Sequence, residues 1–394
     1  MSVAIHKGKC MRRSETRILT THVGSLIRPQ KLLDLAIPKL RGESYEEQAY
    51  QAALRDAVTD VVQRQVDAGI DIVNDGEFGK SSWAAYILER LSGFEVRPDQ
   101  KQPLNWLGRD RERFREFFEK EMPMALTGGS AEVCVGPIEY RDQESIRRDL
   151  ANLRAAVDAA KPNEAFFTTV APASTAYNGI NEYYASDKEY VYAIAEALRR
   201  EYQAVYDAGF LVQVDDAVLA NMYDYLVSQD PQEYRRLAAL RIDALNHALQ
   251  GIPMDRVRYH VCFGSWHVPH VADAPLEGII EHILRVNAGA ISIEAANVRH
   301  EHEWEVWRDA KLRPGQSLIP GVVTHHTVSV EHPRLVAQRI ERFAGLVGRE
   351  NVIAGTDCGF AQGQGTQRVH PTIMWAKLES LVEGARLASE TLFS

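Results

Sequence analysis

The sequence has little cysteine, no long apolar run and no block of basic residues, and each of these gaps excludes a class of protein. Four of its 394 residues are cysteine, Cys10, Cys134, Cys262 and Cys358. Because these cysteines are few and far apart, they argue against a disulfide scaffold and for a reducing, cytoplasmic environment. No apolar run reaches the roughly 18 residues that cross a bilayer. The net charge is −9 without a phosphate-tracking basic cluster, so neither a membrane nor a nucleic acid is expected as a partner.

The beginning of the chain is basic and lacks the apolar stretch of a secretory signal. We interpret residues 1–16 as a flexible arm. From residue 17 to residue 394 no Gly/Ser-rich linker, repeat or low-complexity stretch divides the chain, and 45% of the sequence is hydrophobic. This length and composition predict a single large domain with a substantial core.

Short strand-like runs alternate with longer amphipathic segments almost to the end of the chain. The amphipathic segments have apolar residues three and four positions apart, for example Leu335, Val336, Ile340 and Phe343. This alternation predicts an α/β fold, and seven or eight such units favour a (β/α)8 TIM barrel over an open sheet. The predicted barrel strands lie within residues 17–25, 70–77, 164–174, 210–218, 256–265, 289–297, 317–325 and 352–360. The predicted helices lie within residues 46–68, 143–160, 187–208, 231–250, 276–287, 332–347 and 372–390.

A ninth strand-like run, residues 131–140, is one too many for the barrel. It follows a polar stretch that carries its own charged helical pattern, "RDRERFREFFEKE". We therefore assign it to an insertion of about residues 81–140, placed after the second barrel strand.

Polar side chains capable of binding ligands follow nearly every predicted strand. In TIM barrels the chemistry lies at the C-terminal ends of the strands, where these side chains would meet. The residues concerned are His22, Gly24, Ser25, Asp75, Glu77, Asp215, Asp216, His260, Cys262, Glu294, Asn297, His325, His326, Asp357 and Cys358.

Four of these residues predict a zinc site. His260 and Cys262 lie two apart in a strand and so share a face. Glu294 follows the next strand and Cys358 the last. Thiolates and imidazole favour Zn2+ over magnesium or calcium. Each residue alone would be ordinary at a buried core position, and the wide spacing is not that of a zinc finger, so the fold itself would have to assemble this site.

Seven short motifs, taken together and in this order, carry a family resemblance: "TTHVGSLIRP", "DIVNDGE", "VQVDD", "HVC", "IEAAN", "PGVVTHH" and "GTDCGF". From about residue 17 onwards the sequence resembles the C-terminal catalytic barrel of cobalamin-independent methionine synthase. It is more similar still to the single-barrel relatives, which include epoxyalkane:coenzyme M transferase. The resemblance implies a barrel in which zinc activates a thiol for alkylation.

The resemblance also implies a role for individual residues. His260, Cys262, Glu294 and Cys358 match the zinc ligands, and we expect Glu294 to be the ligand that the substrate thiol displaces. The amino-group carboxylates match Glu77 and Asp215, and the proton donor matches His326. Its neighbour His325 would pack or cap, although the two histidines could exchange roles. The segment that holds the carboxylate of homocysteine matches Val23, Gly24 and Ser25.

The expected partners are a small-molecule thiol and an alkyl donor, namely a folate, a methylcorrinoid or an epoxide. Two departures from the family pattern leave the identity of the thiol and of the alkyl donor open. The chain has no room for the second, N-terminal barrel of full-length synthases, and "HHTVSVEHP" differs from the synthase pattern. We expect methyl transfer to homocysteine, giving methionine. The alternatives are an epoxide:thiol alkyltransferase of the coenzyme M type and, in a different class, a zinc-dependent hydrolase, against which the two cysteines argue. A homo-oligomer is left open.

Overall fold

Eight parallel strands form a barrel in the computed structural model, which describes residues 10–102, 108–123, 129–264 and 267–394. In chain order the strands of this barrel and of a smaller sheet beside it are β1 Leu19–Thr20, β2 Ile72–Val73, β3 Phe94–Gln102, β4 Gly129–Cys134, β5 Glu164–Val170, β6 Gly179–Asn181, β7 Leu211–Asp216, β8 Val257–Val261, β9 Ala290–Ile293, β10 Ser317–Val323 and β11 Ile353–Thr356. The smaller sheet contains β3, β4 and β6. The barrel order is β1-β11-β10-β9-β8-β7-β5-β2, and a parallel bridge between Thr21 and Ile72 closes it. The predicted (β/α)8 fold is therefore confirmed.

Helices connect the strands and cover the outside of the barrel. They are α1 Gln30–Leu40, α2 Glu47–Asp67, α3 Tyr86–Arg90, α4 Asp110–Arg113, α5 Arg115–Glu121, α6 Gln143–Ala160, α7 Pro172–Asn178, α8 Asp187–Asp207, α9 Val218–Val227, α10 Pro231–Ala248, α11 Leu276–Leu284, α12 Pro333–Val347 and α13 Pro371–Leu392. In the described part of the chain, none is both long and apolar enough to span a bilayer. The last two begin at a proline, whose missing N–H is not needed in a first turn, and His332 and His370 cap them.

The lower end of the barrel is closed by an apolar layer to which seven strands contribute. Its members are Met11, Leu19, Ile72, Phe166, Leu211, Ala290, Ile319 and Ile353. Because side chains alternate along a strand, the positions two and four residues further on in each strand share this inner face. The same layer therefore fixes which residues can reach the site at the opposite end.

The prediction of a flexible arm over residues 1–16 is corrected by this layer. Met11 and Ser14 are buried, and the Ser14 hydroxyl donates a 2.5 Å hydrogen bond to the Val352 carbonyl. The Met11 amide donates to the Asp255 carbonyl. A side chain that plugs the barrel gains burial energy, so this part of the chain belongs to the folded domain. Residues 1–9 lie outside the described ranges.

The insertion forms a small sheet beside the barrel. Strand β3 pairs antiparallel with β4, and β4 pairs parallel with β6. The ninth strand-like run is thus outside the barrel, as the sequence predicts. The buried guanidinium of Arg90 ties the insertion to two barrel helices, at 2.8 Å from Asp149 and 3.0 Å from Glu201. The single charged helix expected near residue 110 is two short ones, α4 and α5, which meet at Phe114.

Candidate metal and substrate site

Three of the predicted zinc ligands meet at the C-terminal end of the barrel. His260 lies in β8, Cys262 follows this strand, and Cys358 follows β11. Their ligand atoms all lie within 4.8 Å of one another, and the two sulfur atoms are 3.7 Å apart. Cys262 and Cys358, 96 residues apart in the sequence, are therefore brought together by the fold.

This geometry fits a tetrahedral zinc ion. Two sulfur ligands at about 2.3 Å from zinc, at a tetrahedral angle, lie about 3.8 Å apart. The Nδ1 atom of His260 lies 3.2 Å from the Ser292 hydroxyl, whereas its buried Nε2 atom has no hydrogen-bond partner among the described residues. A histidine with one nitrogen held by a neighbour and the other directed at a thiol pair is typical of a metal ligand.

Glu294 lies next to this group without joining it. Its carboxylate accepts hydrogen bonds from the Phe263 amide at 3.1 Å and from the Asn297 side chain at 2.6 Å. Burial raises the pKa of Glu294 well above its usual range, and the neighbouring Cys262 raises it further. A carboxylate that already has two donors is a weaker metal ligand than the thiols, which suits an exchangeable position.

A second cluster, the acidic pocket, contains Asp75, Glu77 and Asp215. All three are buried, and the only lysine among the pocket residues is Lys80, which donates to both oxygen atoms of Thr168. Burial raises the pKa of Asp215 well above its usual range, and Glu77 raises it further. Burial also raises the pKa of Asp75 to about 6, although Lys80 opposes the shift. Two buried guanidinium groups partly balance these charges, Arg28 beside Glu77 and Asp75 and Arg258 beside Asp215. Glu77 and Asp215 still repel each other, and a cationic ligand between them would relieve this repulsion.

The backbone at Glu77 is strained in a way that is common at functional sites. Glu77 has a φ of 61°, a left-handed conformation that costs a residue with a Cβ free energy. Its Oε2 atom is buried without a hydrogen-bond partner among the described residues. Gly24 is required opposite it, because a Cβ at this position would lie 2.9 Å from Glu77 Oε1 and 2.5 Å from a methyl carbon of Thr168.

The predicted carboxylate-binding residues line the other wall of this pocket. Val23 and Ser25 are buried with Gly24 between them, and the Ser25 carbonyl accepts from the Phe360 amide at 2.8 Å. The Gln213 side chain donates both to the Val23 carbonyl and to Asp215 Oδ1, the latter at 2.8 Å. Gln213 therefore fixes the position of Asp215 relative to this wall. The sequence holds a signal for it, since Gln213 and Asp215 are two apart on one strand.

Both histidines of the "THH" motif lie at the site, and the buried one is His325. It is 1% exposed, whereas His326 is half-buried, with its ring 4.7 Å from that of His325. Burial lowers the pKa of His325 well below its usual range, and His326, Arg368 and His260 lower it further. Burial, with His267, lowers the pKa of His326 to about 4. Both imidazoles are therefore neutral at neutral pH.

The structure adds site residues that sequence reasoning missed. Arg368 lies close enough to Cys358 and Cys262 for their negative charge to oppose the lowering of its pKa by burial. His300 directly precedes the 3-10 helix Glu301–Arg308 and is buried. Its ring packs 4.1 Å from that of Phe263, and its nitrogens lie 2.8 Å from Glu303 and 3.2 Å from Asp273. Cys10 is exposed and Cys134 is buried. Neither joins His260, Cys262 and Cys358, which together are called the metal group.

Comparison with known proteins places this site in a family. The chain is 24% identical to the methionine synthase of Thermococcus kodakarensis over 95% of its length and 94% of the relative. It is 25% identical to the uncharacterized protein YxjH of Bacillus subtilis, over 97% of both chains. The solved B12-independent methionine synthase of Shewanella sp. W3-18-1, in complex with selenomethionine, has the same fold, with a TM-score of 0.71 at 20% identity, covering 95% of this chain and 99% of that one.

The family model that matches the chain describes the catalytic domain of the cobalamin-independent synthases. It covers residues 171–385, which is more than half of the sequence. These residues include the strands β7, β8, β9, β10 and β11, and with them the metal group and the histidine pair. The chain therefore belongs to the family of the cobalamin-independent synthase catalytic domain.

Proposed function

We propose that this chain is a zinc-dependent methyltransferase that methylates the thiol of homocysteine to give methionine. One observation carries the proposal: two cysteines and a histidine, with ligand atoms within 4.8 Å of one another, lie beside two buried carboxylates, Glu77 and Asp215, that repel each other. The first group suits a metal-bound thiolate and the second suits an ammonium, and homocysteine carries both a thiol and an ammonium. The methionine synthases among the relatives support the same assignment.

His260, Cys262 and Cys358 would hold the zinc ion, with Glu294 as the ligand that gives way to the substrate. A zinc ion bound there would lower the pKa of the acceptor thiol, so that the thiol reacts as a thiolate at neutral pH. The hydrogen bonds from Phe263 and Asn297 would retain the Glu294 carboxylate when it leaves the metal position.

The acidic pocket would orient the amino acid. Glu77 and Asp215 would accept charge-assisted hydrogen bonds from the substrate ammonium, which Oε2 of Glu77 is able to receive. The backbone at Val23, Gly24 and Ser25 would hold the carboxylate end. The same pocket disfavours coenzyme M, because a sulfonate has no ammonium to offer and its negative charge would be repelled.

The histidine pair would move the proton. A neutral imidazole beside the metal group can accept the proton that the thiol loses and can then donate it to the leaving group of the methyl donor. The family motif assigns this role to His326. His325 is the more buried of the two, and its replacement is compared with that of His326. We propose a folate or a methylcorrinoid as the methyl donor.

Replacement of single cysteines tests the metal assignment. Cys262→Ser and Cys358→Ser should lose bound zinc and at least 100-fold of homocysteine methylation, because a hydroxyl is a far weaker zinc ligand than a thiolate. Cys134→Ser is the matched control, since Cys134 is also buried but lies outside the metal group. Metal content by plasma spectrometry and methionine formation are the measurements. Full zinc content in both site variants would refute the ligand assignment.

A further inference from the structure

We propose that Lys377 is a positioning residue that holds the histidine pair in place for proton donation to the leaving group. It belongs to α13, on the outer layer of the barrel, and does not reach the reacting atoms. The loop that it holds, residues 324–331, follows β10 and contains both histidines. The inference rests on the proposed methyl transfer and assigns to that reaction a residue outside the site.

The ammonium of Lys377 is completely buried and organises the loop around itself. Its Nζ atom donates to the Ser329 carbonyl at 2.6 Å, to Glu331 Oε2 at 2.8 Å and to the Thr324 hydroxyl at 3.1 Å. A lysine has three protons to donate, and these bonds use all three. They reach the beginning, the tip and the end of the loop.

Glu331 closes the loop from the other side. Its Oε1 atom accepts hydrogen bonds from both the amide and the hydroxyl of Thr324, each at 2.8 Å. Ser380, one turn after Lys377 on α13, donates to the Glu331 carbonyl. The two ends of the loop are thus joined to each other and to one helix, with the histidines directly after the first end.

Among the described residues, the other side-chain hydrogen bonds of this loop run through the Thr327 hydroxyl, which lies 2.9 Å from that of Thr324 and also contacts the Ser329 carbonyl and Lys377. Val328 is 71% exposed and Val330 is 43% exposed, so the tip does not pack into the core. Neither ring nitrogen of His325 has a hydrogen-bond partner among the described residues. The imidazoles are therefore positioned by ring packing and by the backbone that carries them, and this backbone is held by the Lys377–Glu331 pair.

A buried ion pair is a costly way to hold a loop. Apolar residues of similar volume often stabilise a fold as well as such a pair, or better, whereas the pair specifies one geometry. We infer that this geometry serves proton transfer. When the acceptor thiol attacks an N-methyl donor, the S–C bond forms and the C–N bond breaks with its electron pair left on nitrogen. The nitrogen then takes the proton that the histidine received from the thiol.

A donor whose leaving group needs no proton separates this role from a general loss of structure. Iodomethane transfers its methyl group and releases iodide, while the thiol proton passes to solvent. Lys377→Met and Glu331→Gln should each lower kcat with 5-methyltetrahydrofolate about 100-fold, within the range typical of lost general acid catalysis, and change the rate with iodomethane less than about threefold. His326→Asn or His325→Asn should show the same dependence on the donor.

Glu331→Gln preserves the side-chain volume and therefore tests the proposal even if Lys377→Met does not fold. Glu379→Gln, an exposed change on the same helix, is the control, and it should retain wild-type kcat with both donors. Equal losses with both donors in Glu331→Gln would overturn the proposal and make the pair purely structural. A wild-type enzyme that uses iodomethane but no N-methyl donor would overturn it as well, while homocysteine methylation would stand. Failure to methylate homocysteine from any donor would instead refute the proposed function.

Discussion

Asp215 and Glu77 are two buried carboxylates that repel each other. Burial and mutual repulsion raise the pKa of Asp215, and the lysine that opposes this shift, Lys80, is already bonded to Thr168. A substrate ammonium would therefore be bound by groups whose repulsion it relieves. At the scale of the residue, we propose that selectivity for an α-amino thiol comes from this pair rather than from the metal group.

Asp215→Asn tests this selectivity. Removal of one carboxylate from a desolvated ammonium costs roughly 2–5 kcal/mol, which is about 30-fold to several-thousand-fold in kcat/KM. Homocysteine should suffer this loss, whereas 3-mercaptopropionate, which has no amino group, should react nearly as it does with the wild-type enzyme. The ratio of kcat/KM for the two thiols is the measurement. Equal damage to both thiols would mean that Asp215 only supports the structure.

Glu294→Gln tests the exchangeable ligand. The amide keeps the shape and one acceptor oxygen but loses the charge that competes with the incoming thiolate. We expect zinc content to remain near one per chain while kcat falls at least tenfold, because the two cysteines and His260 supply most of the affinity. Normal turnover in this variant would show that Glu294 is not the ligand that the substrate displaces.

At the scale of the element, the sequence predicts amphipathic helices better than the geometry of the loops. The bounds expected for α6, 143–160, agree with the structure because its apolar spacing and its Asp142 cap are both local signals. Helix α1 has no such signal at its end, since Pro38 lies inside it, and we did not predict it. The predicted strands extend beyond the paired residues, as 17–25 does beyond Leu19–Thr20, because their ends are the segments that form the site.

The same difference explains which site residues could be predicted. His260 and Cys262 share a face through a spacing of two, which is visible in the sequence. Arg368 and Lys377 have no local pattern, because their roles depend on how loops from distant strands fold back onto the barrel. The burial of His325 has no local signal either, because this residue follows β10 beyond a shift of register between Gly321 and Val323. The predicted site residues themselves stay predictions until the variants above are measured.

An ion-pair latch joins the segment after β8 to the 3-10 helix after β9. His300 donates from both ring nitrogens only when it is protonated, and its two partners are Asp273 and Glu303. Burial alone would lower the pKa of His300, but these hydrogen bonds raise it to about 10. Asp273 also contacts His270, and although burial would raise the pKa of Asp273, both histidines lower it to about 2.

The latch gives the stability a defined pH dependence. A histidine whose pKa is raised on folding stabilises the protein fully below its ordinary pKa of 6.5, and this contribution is lost as the pH rises through about 10. The free energy of unfolding of wild type minus that of Asp273→Asn should therefore be largest near pH 6 and shrink towards pH 10. Urea unfolding across this range is the measurement. Asp309→Asn, an exposed change nearby, should show no such trend, and a pH-independent difference for Asp273→Asn would contradict the latch.

At the scale of the whole molecule, the fold and the metal site depend on different parts of the barrel. The lower end is closed by an apolar layer that includes Met11, and a continuous core lies between the strands and the helices. The metal group lies at the opposite end, in or just after the strands that carry it. A protein built in this way can change its chemistry through its loops without a loss of folding.

Removal of the metal tests this separation. After chelation the protein should keep its far-UV circular dichroism and its cooperative thermal unfolding, because the core does not include the ligands. Its Tm should fall by a few degrees, since a tightly bound ion stabilises the native state by mass action. Homocysteine methylation should disappear and return when zinc is added back. Cys262→Ser, which already lacks the metal, should show no further decrease in Tm on chelation. Unfolding of the wild-type chain by the chelator would show instead that the ion is a structural element of the barrel.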